Sequence, residues 1–283
     1  MAIAHGILIL SLVLGTEPAQ TPVGIAPQTE QLKFDPLLDG AITTGALVGS
    51  ALVPLLNVDT STRWRNQLLP WDEDLKGRYS SQDAHISDYL LGFQSTMPLG
   101  LLASQELNTD SLELALVYVE TLSVANLLNV IVKYSVARPR PYVYSGSPAV
   151  QQYALDEEDD SHLSFYSGHA NAAFAASVSG ALLFAERSTN NVARTAVWAT
   201  GLALASATAT LRTTAGKHFY SDVLVGAAVG STFGWGIPRL HGAKVKLSTS
   251  EWVAIVAAPI LGIVVASLVA ETQHLDASTM PPS

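Results

Sequence analysis

Long apolar segments of helical length dominate the chain beyond residue 36. They lie at about 37–56, 87–105, 111–133, 169–186, 193–212, 219–237 and 251–270. Strand-like alternation of apolar and polar positions is scarce, and Ala, Leu, Gly and Ser fill several segments, which favours close packing of helices through small residues. The pattern therefore predicts an all-α fold, a helical bundle of about six to seven helices.

The first 20 residues contain a short apolar run, Ile7 to Leu14, followed by small and polar residues. This run is too short to span a membrane and has the length of the apolar core of a secretory signal, although no Lys or Arg precedes it. An ordinary apolar terminus is the alternative. We predict a signal segment at 1–20, a linker at 21–34, one helical domain at 35–275 and a flexible tail at 276–283.

The overall composition favours a membrane protein. Hydrophobic residues make up 48% of the chain and charged residues 14%, which is well below the roughly 25% usual for soluble domains. The mean hydropathy of +0.28 is nevertheless low for a wholly embedded bundle. Val253 to Ala270 carries no charge and is the best single candidate for a membrane span. With the signal segment, this predicts an exported, membrane-associated protein of the inner membrane or periplasm.

Charge and cysteine content exclude several classes of function. A net charge of -9 argues against a nucleic-acid partner, since phosphate backbones are bound by clustered Lys and Arg. The absence of Cys excludes disulfides, thiolate catalysis and thiolate metal sites, which leaves His, Asp, Glu and Ser for chemistry. Glu120 lies in the third apolar segment. We expect its carboxylate either to pair with another group within the bundle or to be solvated at the bundle surface.

Positive charge is concentrated where the third apolar segment ends. Lys133 is followed by Tyr-Ser-Val-Ala-Arg-Pro-Arg-Pro, in which Pro139 and Pro141 stop the helix and stiffen the chain. Arg140 can offer a forked donor to an oxyanion, while Lys133 supplies a point charge. A solvated helix end is the alternative interpretation.

A second cluster opens the Ala-rich helix predicted from residue 170. Ser167 and Gly168 at a helix amino terminus form an anion site, because unpaired backbone N–H groups and the helix dipole both favour negative charge. His169 then lies beside the bound anion. The alternative is an N-cap serine with an incidental histidine.

The third cluster consists of Arg212, His218 and Asp222. His218 and Asp222 are four residues apart at the start of a helix, so the carboxylate can accept from one ring nitrogen and leave the other free to attack. Arg212 would reach the same pocket from the preceding helix end. A surface pair is the alternative for an isolated His and Asp at this spacing.

Together the three clusters supply the groups needed for phosphoryl transfer without a metal, and all of them lie at helix ends. The chain here resembles the type 2 phosphatidic acid phosphatase superfamily, over roughly residues 87–238. The motifs of that superfamily are Lys, six residues, Arg-Pro; then Pro-Ser-Gly-His; then Ser-Arg, five residues, His, three residues, Asp. They are matched by Lys133 with Arg140-Pro141, by Ser167-Gly168-His169, and by Arg212, His218 and Asp222, with Tyr166 in place of the motif Pro and Leu211 in place of the motif Ser.

The resemblance implies a phosphatase with its active site at the helix ends and with no metal or other cofactor. His218 would attack phosphorus, Asp222 would stabilise the charged imidazole, and His169 would protonate the leaving oxygen. The residues implied to hold the phosphate are Lys133, Arg140, Ser167, Gly168 and Arg212.

The substrate implied is a phosphomonoester, either a phosphorylated lipid, an isoprenoid diphosphate or a small soluble compound. The acidic run Asp156 to Asp160 is expected to be a solvated loop, with repulsion of highly anionic substrates or cation binding as alternatives.

Two other functions fit the residues of the three clusters. One is a vanadate-dependent haloperoxidase with His218 bound to vanadium, and the other is a non-catalytic lipid-binding membrane protein.

Overall fold

The computed structural model describes residues 32–56, 58–61, 63–64, 66–103 and 109–279. Within these residues every regular element is a helix, which confirms the all-α fold class. The predicted signal segment at 1–20 and the linker up to residue 31 lie outside the described residues.

Seven long helices form the bundle within the described residues. They are α1 (Leu38–Leu52), α2 (Ser81–Ala103), α3 (Thr109–Val136), α6 (Gly168–Arg187), α7 (Asn191–Thr214), α8 (Tyr220–Leu240) and α9 (Thr249–Thr279). Two short helices, α4 (Pro148–Asp156) and α5 (Glu158–Ser161), and three 3₁₀ helices complete the list: Val53–Leu56, Pro70–Leu75 and Pro141–Tyr144. Each of the seven predicted apolar segments coincides with one long helix. The last helix continues to Thr279, beyond the predicted end of the helical domain at residue 275.

Helix α6 is the central element of the bundle. Fourteen of its 20 residues are buried, and most of these are Ala, Ser or Gly. It packs against α2, α3, α7 and α8. The small side chains allow four neighbouring helices to approach it closely, as the composition predicted. Because α6 begins at Gly168, this packing places the second sequence cluster at one end of the bundle.

Glycines on one face of α8 bring it against the start of α6. Gly226, Gly230 and Gly234 are spaced four residues apart, so they line one face of the helix. A Cβ atom on Gly230 would lie 2.1 Å from the carbonyl oxygen of Asn171, and one on Gly226 would lie 2.6 Å from that of Ser167. Only glycine permits this approach, which sets the start of α8 beside the start of α6.

The chain reverses direction sharply where α3 ends. Ala137 has a φ of 50°, the left-handed conformation that terminates many helices. This turn directs the following Arg138 and Arg140 into the protein, where each is only 3% exposed. The segment from Ala137 to Tyr166 contains the short helices α4 and α5.

Three helices in the described residues are long and apolar enough to cross a membrane. These candidate spans are Leu38–Leu56, Asp110–Tyr144 and Thr249–Thr272, and the third contains the predicted segment Val253 to Ala270. Trp252, Val256, Ile260 and Leu268 on α9 are each more than half exposed, which fits a lipid environment. The remaining predicted apolar segments include α6, whose apolar character is explained by burial inside the bundle.

Candidate active site

His218 is buried at the start of α8, and its ring has defined partners on both sides. The Nδ1 atom lies 2.8 Å from the carbonyl oxygen of Ser164. A carbonyl can only accept, so Nδ1 carries the proton and Nε2 keeps its lone pair. Nε2 faces the guanidinium of Arg140, with Nη1 at 3.4 Å. The nitrogen free to attack therefore points at a cation that can hold an oxyanion.

Asp222 is placed differently from the prediction. Its Oδ2 atom lies 3.8 Å from His218 Nδ1, which is too long for the expected direct hydrogen bond. Oδ2 instead accepts from the Ser164 hydroxyl at 2.5 Å and from the Phe219 N–H at 2.8 Å. Asp222 thus holds the peptide segment whose carbonyl orients His218, and its charge stays close to the imidazole.

A buried ionic network missed by the sequence analysis supports Asp222. Arg138 donates to Asp222 at 2.6 Å and to Asp72 at 2.9 Å, and all three side chains are almost fully buried. Ser221 completes the network by donating to Asp72 at 2.5 Å. The available signals were Arg138, the first arginine in the Arg-Pro-Arg-Pro run, and the acidic Trp71-Asp72-Glu73-Asp74 segment. Neither indicates that the two regions meet.

Arg140 is held by three hydrogen bonds from its guanidinium. Nε donates to the Asp160 carbonyl oxygen at 2.8 Å, and Nη1 donates to the Lys217 carbonyl oxygen at 2.9 Å. Nη2 donates to the Asp160 carboxylate at 2.5 Å. Asp160 belongs to the acidic run expected to be a solvated loop, so that expectation is wrong at this residue. One edge of Arg140 is anchored while the edge near His218 remains available to an anion.

His169, Arg212 and Asp88 form a group on another side of the site. His169 Nε2 lies 2.7 Å from Asp88 Oδ1, and Arg212 Nη1 donates to the same oxygen at 3.1 Å. Arg212 also donates to the Ser87 hydroxyl at 3.2 Å. Asp88 was not selected from the sequence, because an acidic residue in the second turn of a helix carries no motif by itself. It connects the predicted acid His169 with the predicted phosphate ligand Arg212.

The start of α6 forms the floor of the site. The Ser167 hydroxyl accepts from the Ala170 N–H at 3.3 Å, which makes Ser167 the N-cap and leaves its own O–H free to donate. The Ser167 N–H donates to the Asp222 carbonyl oxygen at 3.0 Å. A Cβ on Gly168 would lie 2.8 Å from Asn129 Oδ1 and 3.7 Å from Lys133 Nζ. This close approach shows that α3 places Lys133 beside the start of α6.

The two residues that depart from the motifs are both buried in the protein interior. Tyr166, in place of Pro, is buried, and its carbonyl oxygen accepts from the Asn129 amide at 2.8 Å. Leu211, in place of Ser, is 2% exposed and packs in the protein interior. The backbone around the site is therefore held by α3 rather than by a proline.

The electrostatic environment favours the neutral form of both histidines. Burial lowers the pKa of His218 well below its usual value, and the positive charges of Arg140, Lys133 and Arg212 lower it further. Burial also lowers the pKa of His169 to about 4, although the hydrogen bond that His169 donates to Asp88 opposes this effect. Neutral His218 is a nucleophile at neutral pH, and the clustered cations that depress its pKa favour an anionic ligand.

The structure thus unites every residue predicted for the site. All eight lie at the end of the bundle where α6 and α8 begin: His218, His169, Asp222, Lys133, Arg140, Ser167, Gly168 and Arg212. The fold and site define a class, a helical bundle in which several cations surround a buried imidazole, an arrangement suited to an oxyanion.

Comparison with known families names that class. Residues 114–246 match the model of the PAP2 superfamily, and this match confirms the resemblance seen in the three motifs. Members of the superfamily are phosphatases, which supports a phosphoester hydrolase activity at the level of the family. Comparison with curated proteins and with solved structures gives no match.

Proposed function

We propose that this protein hydrolyses phosphomonoesters through a phosphohistidine on His218, without a metal. The observation that carries the proposal is the orientation of the His218 ring. Its Nδ1 proton is held by the Ser164 carbonyl oxygen, and its unprotonated Nε2 faces Arg140. A buried neutral imidazole aimed at a fixed cation suits attack on an anionic phosphoryl group.

In the first step, the Nε2 lone pair of His218 forms a bond to phosphorus and the ester P–O bond breaks. The leaving oxygen takes a proton from the protonated fraction of His169, and the phosphoryl group stays on the imidazole. The leaving group is an alcohol when the substrate is a monoester, and an isoprenoid monophosphate when it is a diphosphate. The phosphoryl oxygens are held by Arg140, Arg212 and Lys133, with the Ser167 hydroxyl and the Gly168 N–H at the start of α6. Asp222, 3.8 Å from Nδ1, stabilises the positive charge on the ring.

In the second step, water attacks phosphorus and the P–N bond breaks. Neutral His169 takes the proton from the water, and the electron pair of the broken bond returns to Nε2. Inorganic phosphate leaves, and His169 is again protonated for the next cycle. The same histidine therefore acts first as general acid and then as general base.

The proposed substrate is a lipid phosphate, such as a diacylglycerol phosphate or an isoprenoid diphosphate. Support comes from the three candidate spans, since a protein embedded in a membrane meets substrates that are dissolved in the bilayer. The residues around His218 recognise the phosphate itself, so a soluble phosphomonoester is the comparison substrate.

Phosphate release by the purified protein tests the proposal. The assay uses a lipid phosphate and a soluble phosphomonoester in EDTA, with wild-type protein, His218→Ala and His162→Ala. His162 is a matched control, because it follows α5 directly and is not among the predicted site residues; its ring Nδ1 lies 3.5 Å from the Glu158 carbonyl oxygen. We expect His218→Ala to lose about 10⁴-fold or more in kcat, and His162→Ala to keep wild-type activity.

An alkaline quench during turnover should also trap one phosphoryl group on the wild-type chain and none on His218→Ala. A His218→Ala protein with normal activity would exclude the phosphohistidine route. Loss of all activity in EDTA, with recovery on adding a divalent metal, would exclude the metal-independent mechanism. No release from either substrate would favour a non-catalytic lipid-binding protein.

A further inference from the structure

A second cluster of titratable side chains lies at the opposite end of α8 from the candidate active site. Asp39 in the first turn of α1, Glu120 in α3 and His241 just after α8 converge there, with candidate ligand atoms all within 4.8 Å of one another. Each residue is at most 6% exposed. The 21 residues of α8 correspond to about 30 Å, so this cluster is separate from His218.

We propose that Asp39, Glu120 and His241 bind a divalent transition metal, with Zn²⁺ the best fit. Their ligand set is one imidazole nitrogen and two carboxylates, which suits Zn²⁺ with a water in the remaining position. Three ligands from three separate parts of the chain would join α1, α3 and the end of α8. The site would stabilise the bundle and would take no part in phosphate hydrolysis.

The orientation of His241 supports a metal ligand. Its Nδ1 donates to the Lys33 carbonyl oxygen at 2.9 Å, so Nε2, which lies 3.1 Å from Glu120 Oε2, is the ring nitrogen available to a metal. Histidine ligands usually donate their other ring N–H to a backbone carbonyl in this way. A separation of 3.1 Å between nitrogen and oxygen is also close to that of two ligands on one zinc ion. Asp39 Oδ2 lies on the Nδ1 side, 3.8 Å from that atom.

The charge balance of the cluster gives an independent argument. Among the described residues, the ion pairs of Asp39 and Glu120 are with His241 alone. Two buried carboxylates and one imidazole leave at least one negative charge without compensation, and burying such a charge is unfavourable. Glu120 also lies within the candidate span Asp110–Tyr144, where an ionisable residue needs a partner. A divalent cation would supply that partner.

Zinc binding by the purified full-length protein in detergent tests this proposal. The protein is stripped with EDTA, transferred to chelator-free buffer and titrated with ZnCl₂, and bound zinc and the midpoint of thermal unfolding are measured. We expect one Zn²⁺ per chain and a rise in Tm of roughly 5 °C at saturation. Glu120→Gln and Asp39→Asn should each weaken Zn²⁺ binding at least about tenfold, because one charged ligand is lost.

Glu113→Gln is the matched control, since Glu113 lies on the same helix two turns earlier and is not part of the cluster. It should bind zinc like the wild type. Asp39→Asn changes a different helix, so it keeps the test decisive if Glu120→Gln fails to fold. Absence of bound zinc, or equal binding by all variants, would overturn the proposal. Phosphate release in EDTA is measured on the same samples, so failure of this site and failure of the proposed function give different results.

Discussion

At the residue scale, Asp88 contacts both the proposed general acid His169 and the proposed phosphate ligand Arg212. Its Oδ1 atom contacts both His169 at 2.7 Å and Arg212 at 3.1 Å. Burial lowers the pKa of His169 to about 4, and the hydrogen bond that His169 donates to Asp88 acts in the opposite direction. Protonated His169 is the acid form, so in the free enzyme its fraction rises as the pH falls from 7 towards 4. Activity that depends on this acid should rise over the same range.

Asp88→Asn is therefore expected to lower activity in a pH-dependent manner. Loss of the carboxylate removes the group that raises the pKa of His169, so a smaller fraction of His169 is protonated at every pH above 4. We expect kcat/KM at pH 6 to fall about tenfold or more, with the rising part of the profile moved to lower pH. The measurement is kcat/KM between pH 4 and 8 for wild type, Asp88→Asn and Asp88→Glu. An equal loss at all pH values would mean that Asp88 has only a structural role.

At the scale of elements, the site depends on how closely α8 approaches α6. The α6 start carries Ser167, Gly168 and His169, and the α8 start carries His218 and Asp222. Gly226 and Gly230 set the distance between these helices because their missing side chains leave room for the carbonyl groups of α6. A small displacement of one helix would move His218 relative to the phosphate-binding groups, and reactions of this kind are sensitive to shifts near 1 Å.

Gly230→Ala should reduce activity although it changes no site residue. The new Cβ would lie 2.1 Å from the Asn171 carbonyl oxygen, so the helices must separate. We expect a destabilisation of about 1–3 kcal/mol and a loss of about 10²-fold in kcat/KM. Gly236→Ala on the same helix is the control, because its Cβ would meet nothing within 4 Å. It should be neutral or slightly stabilising by thermal unfolding, and a similar loss in both variants would contradict the packing argument.

At the scale of the whole molecule, apolar surface is concentrated on the candidate spans. On α9, Val253, Val256, Ile260 and Ile263 are 49–67% exposed. Exposed side chains of this kind over a helix of membrane-spanning length are unfavourable in water and favourable in lipid. The apolar segments that are buried, such as α6, instead form the interior that holds the site.

Val264→Asp should reduce retention of the protein in the membrane fraction. Val264 is 50% exposed in the middle of α9, and a carboxylate near the centre of a span costs about 3 kcal/mol on insertion. Val192→Asp is the control, since Val192 is 76% exposed on α7, outside the candidate spans. Membrane fractions are washed at high pH and immunoblotted for both variants. Equal retention of the two would argue against α9 as a span.

The helices and the motif residues were predictable from the sequence because both depend on local spacing. Seven apolar segments of helical length became seven long helices, and three short motifs supplied all eight predicted site residues. Helical length requires only a continuous apolar run, and an anion site at a helix start requires only the adjacent Ser167 and Gly168. The interpretation of Glu120 as paired within the bundle was also correct, with His241 as its partner.

Only the tertiary structure decided which groups orient the site residues and which charges surround them. His218 donates to the Ser164 carbonyl oxygen, 54 residues earlier, and Arg138 joins Asp72 to Asp222 across still longer separations. Asp88 reaches His169 from a different helix, and Asp160 anchors Arg140 from a run expected to be solvated. The physical reason is that a hydrogen bond between distant residues leaves no periodic trace in the sequence. It exists only because helix packing brings the two side chains together.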